Sequence, residues 1–399
     1  MSLFSKFDAA AALESTLSSM PVNPTSIVIS KVVSASEAIV NGRTTIMAGT
    51  NNYLGLTFDA DCISAGQAAL AETGTGTTGS RMANGTYKEH LQLEDELAVF
   101  FDLPHAMVFS TGYSANLGIL TALLDADDSV LLDSEGHASL YDGCRMSGAK
   151  IYRFKHNDPE GLAKRLSRLG EKAKDALIVV EGLYSVRGDC APLKEFVDVK
   201  AQYGGILLVD EAHSLGLYGE NGRGLVEEYD LMDDVDFIVG TFSKSLGSIG
   251  GFCVSKHPQL KLVRYASRPY IFTASPSPSV IATTREALKK VQQGQGLREK
   301  VWRNAKHLYE AFVELGLDIG PTVSPVIGVS FQDREKAFSC WQDLLSLGIY
   351  TNLILPPAAP DGGSLIRCSV TAAHSETQVD SIISAFKKVC KERNVGRLN

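Results

Sequence analysis

Two stretches of this chain carry side chains able to hold and activate a planar, anionic organic group. In Leu208-Val-Asp-Glu-Ala-His-Ser-Leu-Gly216, Asp210 and His213 follow an apolar run that reads as a buried strand, and in open α/β sheets ligands bind beyond the carboxyl ends of the strands. A carboxylate there, desolvated but beside a pyridinium nitrogen, keeps its charge and holds the ring protonated. Further on, Gly240-Thr-Phe-Ser-Lys-Ser-Leu-Gly247 places Lys244 after another such run. A lysine that forms a Schiff base needs a flexible stem and a semi-buried setting that lowers its pKa, and Thr241, Ser243 and the nearby glycines suit a phosphate. Taken singly, each has a plainer reading: a strand-end Asp caps a helix, and a lone Lys is solvated. Their ordered combination points to one site.

Two upstream segments belong with them. Ser110-Thr-Gly-Tyr-Ser-Ala-Asn116 ends a strand and opens a helix, and the first N–H groups of a helix make an anion site; an ordinary capped helix is the alternative. Asp133-Ser-Glu-Gly-His-Ala-Ser-Leu-Tyr-Asp-Gly143 places His137 over the same sheet edge, where an aromatic ring stacks on a planar cofactor; a capping histidine is the alternative. By contrast, Gly74-Thr-Gly-Thr-Thr-Gly79 matches GxGxxG but follows a helical stretch, Ala65 to Glu72, and Ser80 stands where a P-loop needs lysine. A dinucleotide fingerprint requires a strand before it and a helix opening inside it. This run is expected to be a Gly/Thr-rich loop that feeds the site wall or connects helices.

The elements that must position these residues alternate. From about Asp59 to Gly240, short apolar runs at His105 to Ser110, Ser129 to Leu132, Lys150 to Phe154, Ala176 to Val180, Gly205 to Val209 and Phe237 to Val239 are separated by helical stretches such as Tyr87 to Phe101, Ser114 to Leu124 and Asp158 to Leu169. Runs without alternation mark strands buried on both faces, and the order predicts a parallel sheet flanked by helices. After about Ser275 a charged helical stretch, Pro278 to Leu315, precedes short strands at Val326 to Phe331 and Leu365 to Val370. Pro356, Pro357 and Pro360 with Gly362 and Gly363 make a loop before the last strand, a place where ligand contacts or a plain connector are expected. The division predicted is an arm at 1–45, a large domain at 46–275 and a small α+β domain at 276–399.

Composition narrows the function. The 399 residues are 44% hydrophobic and 21% charged, with 38 Lys and Arg against 46 Asp and Glu and a net charge of −8; that balance argues against a nucleic-acid partner. The seven cysteines are scattered, with no CxxC pair and no Cys/His cluster at metal-ligand spacing, as expected of reduced thiols in a cytoplasm with no metal site. No run reaches the roughly 18 to 20 apolar residues of a membrane span, and Asp8 and Glu14 stand where a signal peptide would be apolar. Leu3 to Leu17 is expected to be an amphipathic helix that docks on its own protein or a subunit partner ahead of a membrane surface.

Several motifs in fixed order, Asn52-Tyr-Leu-Gly55, GTGTTGSRMANGT, FSTGYSANLG, HASLYDG, EGLYSVRGD, VDEAHSLG, GTFSKSLG and IRCSVTAAH, give the chain a resemblance to the pyridoxal-phosphate-dependent α-oxoamine synthases of fold type I. The likeness covers nearly the whole chain. It is strongest to the family's bacterial serine-using branch, through SRMANGT, Asp142-Gly-Cys144 and Arg268-Pro-Tyr-Ile-Phe-Thr-Ala-Ser275. The resemblance implies a large domain with a mostly parallel seven-stranded sheet flanked by helices, plus a smaller α+β C-terminal domain.

It also implies roles. Lys244 would hold pyridoxal 5'-phosphate as an internal aldimine and then shuttle protons, Asp210 would pair with the pyridinium nitrogen, and His213 would bond the ring oxygen. His137 would stack on the ring and orient the substrate carboxylate. Gly112, Tyr113, Thr241 and Ser243 would contact the ring or phosphate, Asn52 and Arg367 the substrate, and Thr273 the phosphate of a neighbouring subunit's cofactor, which implies a homodimer. The implied reaction condenses L-serine with a long-chain acyl-CoA. Two departures stand out: Leu355 occupies a position where some of that branch carry arginine, and Asn51 one where they carry an aromatic residue. Sister enzymes using glycine or alanine share these motifs; a non-catalytic subunit would typically have lost the lysine.

Overall fold

The structure, a computed structural model, describes residues 3–18, 20–356, 359 and 362–396. Pro357 and Pro360 of the proline-containing loop lie outside the described residues. Three sheets are present among the described residues. β1 (Ile29–Val32), β2 (Glu37–Val40) and β3 (Arg43–Met47) run as an antiparallel meander. The central sheet contains β4 (His105–Phe109), β5 (Ser129–Asp133), β6 (Lys150–Phe154), β7 (Leu177–Glu181), β8 (Ile206–Asp210), β9 (Phe237–Thr241) and β10 (Gly251–Ser255) in the order β4-β10-β9-β8-β7-β5-β6. Strands β5 to β9 pair in parallel, and β10 is antiparallel to both β9 and β4. β11 (Val326–Phe331), β12 (Ile349–Tyr350), β13 (Asn352–Ile354) and β14 (Ser364–Ser369) follow; β11-β14-β13 is a small antiparallel sheet, while β12 adds in parallel to β3. The N-terminal meander is thus hydrogen-bonded to a strand from the last quarter of the chain.

Strand pleating divides the core in two, because successive side chains point to opposite faces. Met107, Phe109, Val130, Leu132, Leu177, Val179, Leu208, Phe237 and Val239 pack against the helices Gly112–Leu123 and Ala138–Ser147. Their sequence neighbours Val108, Leu131, Ile178, Val180, Leu207, Val209 and Ile238 pack on the other face with Leu97 and Phe101 of the helix Lys88–Phe101 and Leu162 and Leu166 of the helix Pro159–Leu169. The same parity carries to the strand ends. Glu181, Asp210 and Thr241 continue the first set, so all three face the helix Gly112–Leu123 at the carboxyl edge of the sheet.

Two expectations change. The stretch Pro278 to Leu315 is two helices, Pro278–Gln292 and Gln295–Glu314. The chain turns at Gly294 so close to the preceding coil that an added Cβ would lie 2.5 Å from the Lys290 carbonyl oxygen. The opening segment is a short 3-10 turn, Ser5–Phe7, and a helix, Asp8–Ser18, with Leu17 buried and Leu3, Phe4 and Phe7 exposed. No described helix is long and apolar enough to cross a membrane.

The large and small sheets meet at Gly188. It has φ +77° and its α-carbon lies where a Cβ would come within 1.8 Å of the Val326 carbonyl oxygen at the start of β11. An L side chain is disfavoured by that backbone conformation and blocked by that contact. Gly188→Ala is therefore expected to lower stability by about 2 to 4 kcal/mol, measured as a lower denaturation midpoint; a midpoint equal to wild type would show that the junction relaxes.

Candidate active site

The carboxyl edge of the central sheet closes on a cavity of about 260 Å³. At one end, Thr111 caps the helix Gly112–Leu123, accepting from the Ser114 N–H at 3.0 Å. The N–H groups of Gly112 and Tyr113 precede that bond and have no partner within the helix, which leaves a positive helix end facing the cavity. Thr241 Oγ1 and Ser243 Oγ lie 2.9 Å apart beside it. Gly112 packs so tightly there that a Cβ would sit 2.8 Å from Cβ of Thr241. Two hydroxyls and a helix N-terminus make a cradle for a phosphate-sized anion.

At the other end stand Asp210, Glu181 and Lys244. Asp210 is buried; Oδ1 accepts from the Ala212 N–H at 2.9 Å and Oδ2 from Asn116 Nδ2 at 2.8 Å. Glu181 lies in register with it on β7, also buried, and accepts the His137 N–H at 2.6 Å. Burial, reinforced by the charge of Asp210, pushes the Glu181 carboxyl up to about 8. Burial lowers the Lys244 ammonium to about 8, against the opposing pull of Asp210 and Glu181. An amine near neutrality in a walled cavity is a Schiff-base nucleophile.

His137 forms the wall between this cavity and a second one of about 550 Å³ lined by Leu132, Tyr141, Arg153, Tyr184 and Val186. It is at once the cavity-facing and the capping residue, because its Nδ1 accepts the Ser139 N–H at the start of the helix Ala138–Ser147. His213 is buried and held neutral chiefly by burial, with the Lys244 charge adding to that; its Nδ1 meets the Tyr53 hydroxyl at 2.7 Å. Arg367 donates from Nε to the Ser185 carbonyl at 2.6 Å and from Nη2 to Asn51 Oδ1 at 2.9 Å and the Tyr53 hydroxyl at 3.2 Å.

Lys244, Asp210, His213, His137, Gly112, Tyr113, Thr241 and Ser243 thus line one cavity, with Arg367 linked to it through Tyr53. Asn52 turns away: its amide donates to the Ala35 carbonyl and to Thr57 Oγ1. Its neighbours Asn51 and Tyr53 make the contacts to Arg367. Thr273 is exposed and is not among the residues lining the cavity of its own chain. The Gly74–Gly79 run is a connector tied to Ser275, whose N–H donates to the Gly79 carbonyl at 3.0 Å. Sequence reasoning does not reach Asn116, Ser139 or Glu181 as site residues. For Glu181 the signal is available: it ends an apolar strand as Asp210 does.

The fit to a phosphorylated pyridine rests on this donor set: an anion cradle at one end of the cavity, and a buried carboxylate with an amine at the other. Asn116, which lines the cavity between cradle and carboxylate, is tied by its amide nitrogen to Asp210. A profile of the aminotransferase class I and II family matches residues 44–386. The chain belongs to that family. A serine palmitoyltransferase of Caulobacter vibrioides is 50% identical over 98% of this chain and 96% of that protein. The solved Sphingomonas wittichii serine palmitoyltransferase superposes with a TM-score of 0.96 at 47% identity, covering 100% of both chains. A serine palmitoyltransferase solved with pyridoxal phosphate as its internal aldimine gives 0.96 at 46% identity over 99% of this chain and 100% of the other. Within the family the chain is a pyridoxal-phosphate-dependent α-oxoamine synthase of fold type I, most like the bacterial serine palmitoyltransferases.

The loop that delivers His137 is braced from beneath. His156 Nδ1 meets Asp133 Oδ1 at 2.9 Å and Nε2 meets Asp189 Oδ2 at 2.7 Å, and the ring packs edge-on to Tyr184. Burial alone would lower the imidazolium, but the bonds and charges of the two aspartates outweigh it and raise it to about 10. A folded-state pKa above the unfolded value of about 6.5 means stability present in full below that pH and lost as pH rises through about 10. The stability difference between wild type and His156→Gln is expected to be greatest near pH 6 to 7 and to shrink steadily toward pH 10, read from denaturant midpoints across that range. A constant difference would contradict the charged clamp. For Lys244, the rate at which cofactor-free protein turns yellow with pyridoxal phosphate is expected to rise with a midpoint near pH 8, and lower in Asp210→Asn, because that carboxylate holds the proton on. A midpoint near 10.5 would overturn the lowered amine.

Proposed function

We propose that the protein condenses L-serine with a long-chain acyl-CoA, palmitoyl-CoA being the expected donor, to give 3-oxosphinganine, CoA and carbon dioxide, the first step of sphingolipid synthesis. The observation that carries this reading is the presence of the Lys244 amine and the Asp210 carboxylate in one cavity that also holds an anion cradle, in a chain 47 to 50% identical to two serine palmitoyltransferases over nearly its full length. Pyridoxal phosphate, when bound, supplies an aldehyde for Schiff-base exchange and an electron-withdrawing pyridinium for the electron pair released at Cα.

The residues of the chain do the rest. The Gly112 and Tyr113 N–H groups with Thr241 and Ser243 hold the phosphate, and the Asp210 carboxylate keeps the ring nitrogen protonated. Neutral His213 bonds the ring oxygen, and the His137 ring covers the face. The Lys244 amine, once freed by substrate, takes the Cα proton and later returns one. Arg367, held by Asn51 and Tyr53, meets the serine carboxylate, with Asn52 fixing that segment. The larger cavity past His137, walled by Leu132, Tyr141, Tyr184 and Val186, receives the acyl thioester. In the same reading the protein is a cytoplasmic homodimer with the partner subunit's Thr273 at each phosphate, touches a membrane only peripherally, and divides at 45 and 275 into arm, large and small domains.

Serine is expected to perturb the visible spectrum of the yellow protein, and CoA release should follow palmitoyl-CoA but hardly acetyl-CoA; Lys244→Ala should lose turnover by at least about a thousandfold. Faster turnover of glycine with a short acyl-CoA would assign the chain to a sister activity.

A further inference from the structure

Along the wall of the cavity, four side chains join into one hydrogen-bonded line. Asn116, on the helix Gly112–Leu123, is buried, and its Nδ2 reaches both Asp210 Oδ2 at 2.8 Å and Ser139 Oγ at 2.9 Å. Ser139, also buried, continues from Oγ to His137 Nδ1 at 2.7 Å, and its own N–H reaches the same nitrogen at 3.2 Å. Donor and acceptor arithmetic sets every proton along this line. An ionised carboxylate only accepts, so Asn116 must present its NH₂ to Asp210, and the second hydrogen of that NH₂ falls to Ser139. Ser139 Oγ, already accepting, then has its single proton to give, and the partner at 2.7 Å is His137 Nδ1. With two donors directed at it, Nδ1 carries a lone pair, and a neutral imidazole then holds its proton on Nε2.

We propose that Asn116 and Ser139 are positioning residues that transmit the charge of Asp210 to His137 and fix it as the Nε2–H tautomer, so that His137 meets the substrate as a hydrogen-bond donor and never as a base. The backbone of His137 is fixed separately by Glu181, whose Oε1 accepts its N–H at 2.6 Å, so ring orientation and main-chain position have independent supports. The charged groups that act on the ring are Asp210, Lys244 and Asp142, with Glu181 at its main chain; burial outweighs the two aspartates and keeps the ring neutral. A donor at the wall between the two cavities suits an anionic oxygen, such as the substrate carboxylate or the oxygen of a thioester carbonyl as carbon attacks it. The inference rests on the proposed function for that substrate, but the tautomer itself is a property of the protein.

The test is the proton position on His137, observed in holoenzyme with nitrogen-15-labelled histidine rings, the signal assigned by its disappearance in His137→Gln. Wild type is expected to show Nε2 protonated and Nδ1 bare. Ser139→Ala and Asn116→Ala should each let a detectable minor fraction of the Nδ1–H tautomer appear, minor because the main-chain N–H of residue 139 still faces Nδ1, and raise the pH at which the ring takes its second proton only slightly, by about one unit or less, since one hydrogen bond is at stake; Ser139→Thr should restore the wild-type pattern. A wild-type ring protonated on Nδ1 overturns the proposal by itself, even if both alanine variants fail to fold. Unchanged tautomers in folded Ser139→Ala and Asn116→Ala overturn it as well. Failure of serine and palmitoyl-CoA to react, with the Nε2–H tautomer present, would remove the proposed reaction and leave the relay standing.

Discussion

Placing two carboxylates and an amine together in a small buried cavity is the constraint on which the rest of the structure depends. Isolated burial of any one of these charges would cost several kcal/mol. Here Asp210 and Glu181 lower the cost of a charged Lys244, and Lys244 in turn opposes the rise of Glu181. The remaining lone pairs of the carboxylates are taken by the Ala212 and His137 N–H groups and the Asn116 amide. The balance leaves Lys244 and Glu181 both near 8, so the cavity can gain or lose a proton near neutrality. A site that must exchange its amine between protein and substrate needs that poise.

The sheet is what makes the convergence possible. Parallel strands align their carboxyl ends, and pleating sends Glu181, Asp210 and Thr241 to one face while Asp133, of opposite parity to Leu132, turns to the other. Asp133 is then free to build the clamp with His156 and Asp189. One strand end, β5, therefore supports the site from the far face, while the loop it leads into presents His137 on the near one. Close packing completes the floor: Gly112 approaches Thr241 so tightly that a Cβ at Gly112 would lie 2.8 Å from Cβ of Thr241.

Much of this is legible in the residues. Strands β5, β7, β8 and β9 are nearly continuous apolar runs because both their faces are covered, and burial on both faces is itself the signal, whereas the edge strand β6 carries Lys150 and Arg153 on exposed positions. The motifs around Lys244, Asp210 and His137 are legible because each sits where a strand ends and a helix or turn begins. β10 is less so: Gly251–Ser255 opens on the second of two adjacent glycines and is antiparallel, outside the strand–helix rhythm of its neighbours. The meander β1 to β3 is polar and partly exposed, and its link to β12 spans some three hundred residues of sequence, which no local pattern reveals. Asn116 illustrates the same limit within the site. It lies 94 residues from Asp210 and 23 from Ser139, and in sequence it is only one of several polar residues on a mostly apolar helix.

That polar residue also explains a feature of its helix. Gly112–Leu123 packs on the sheet through Ala115, Ile119 and Leu120, and an asparagine among them would ordinarily destabilise the packing unless its amide were satisfied. Its nitrogen is satisfied twice, by Asp210 and Ser139, while its oxygen is left without a partner. The same residue thus joins three levels of the molecule: it docks the helix whose N-terminus cradles an anion, holds the carboxylate at the opposite end of the cavity, and sets the proton of the histidine between the two substrate spaces.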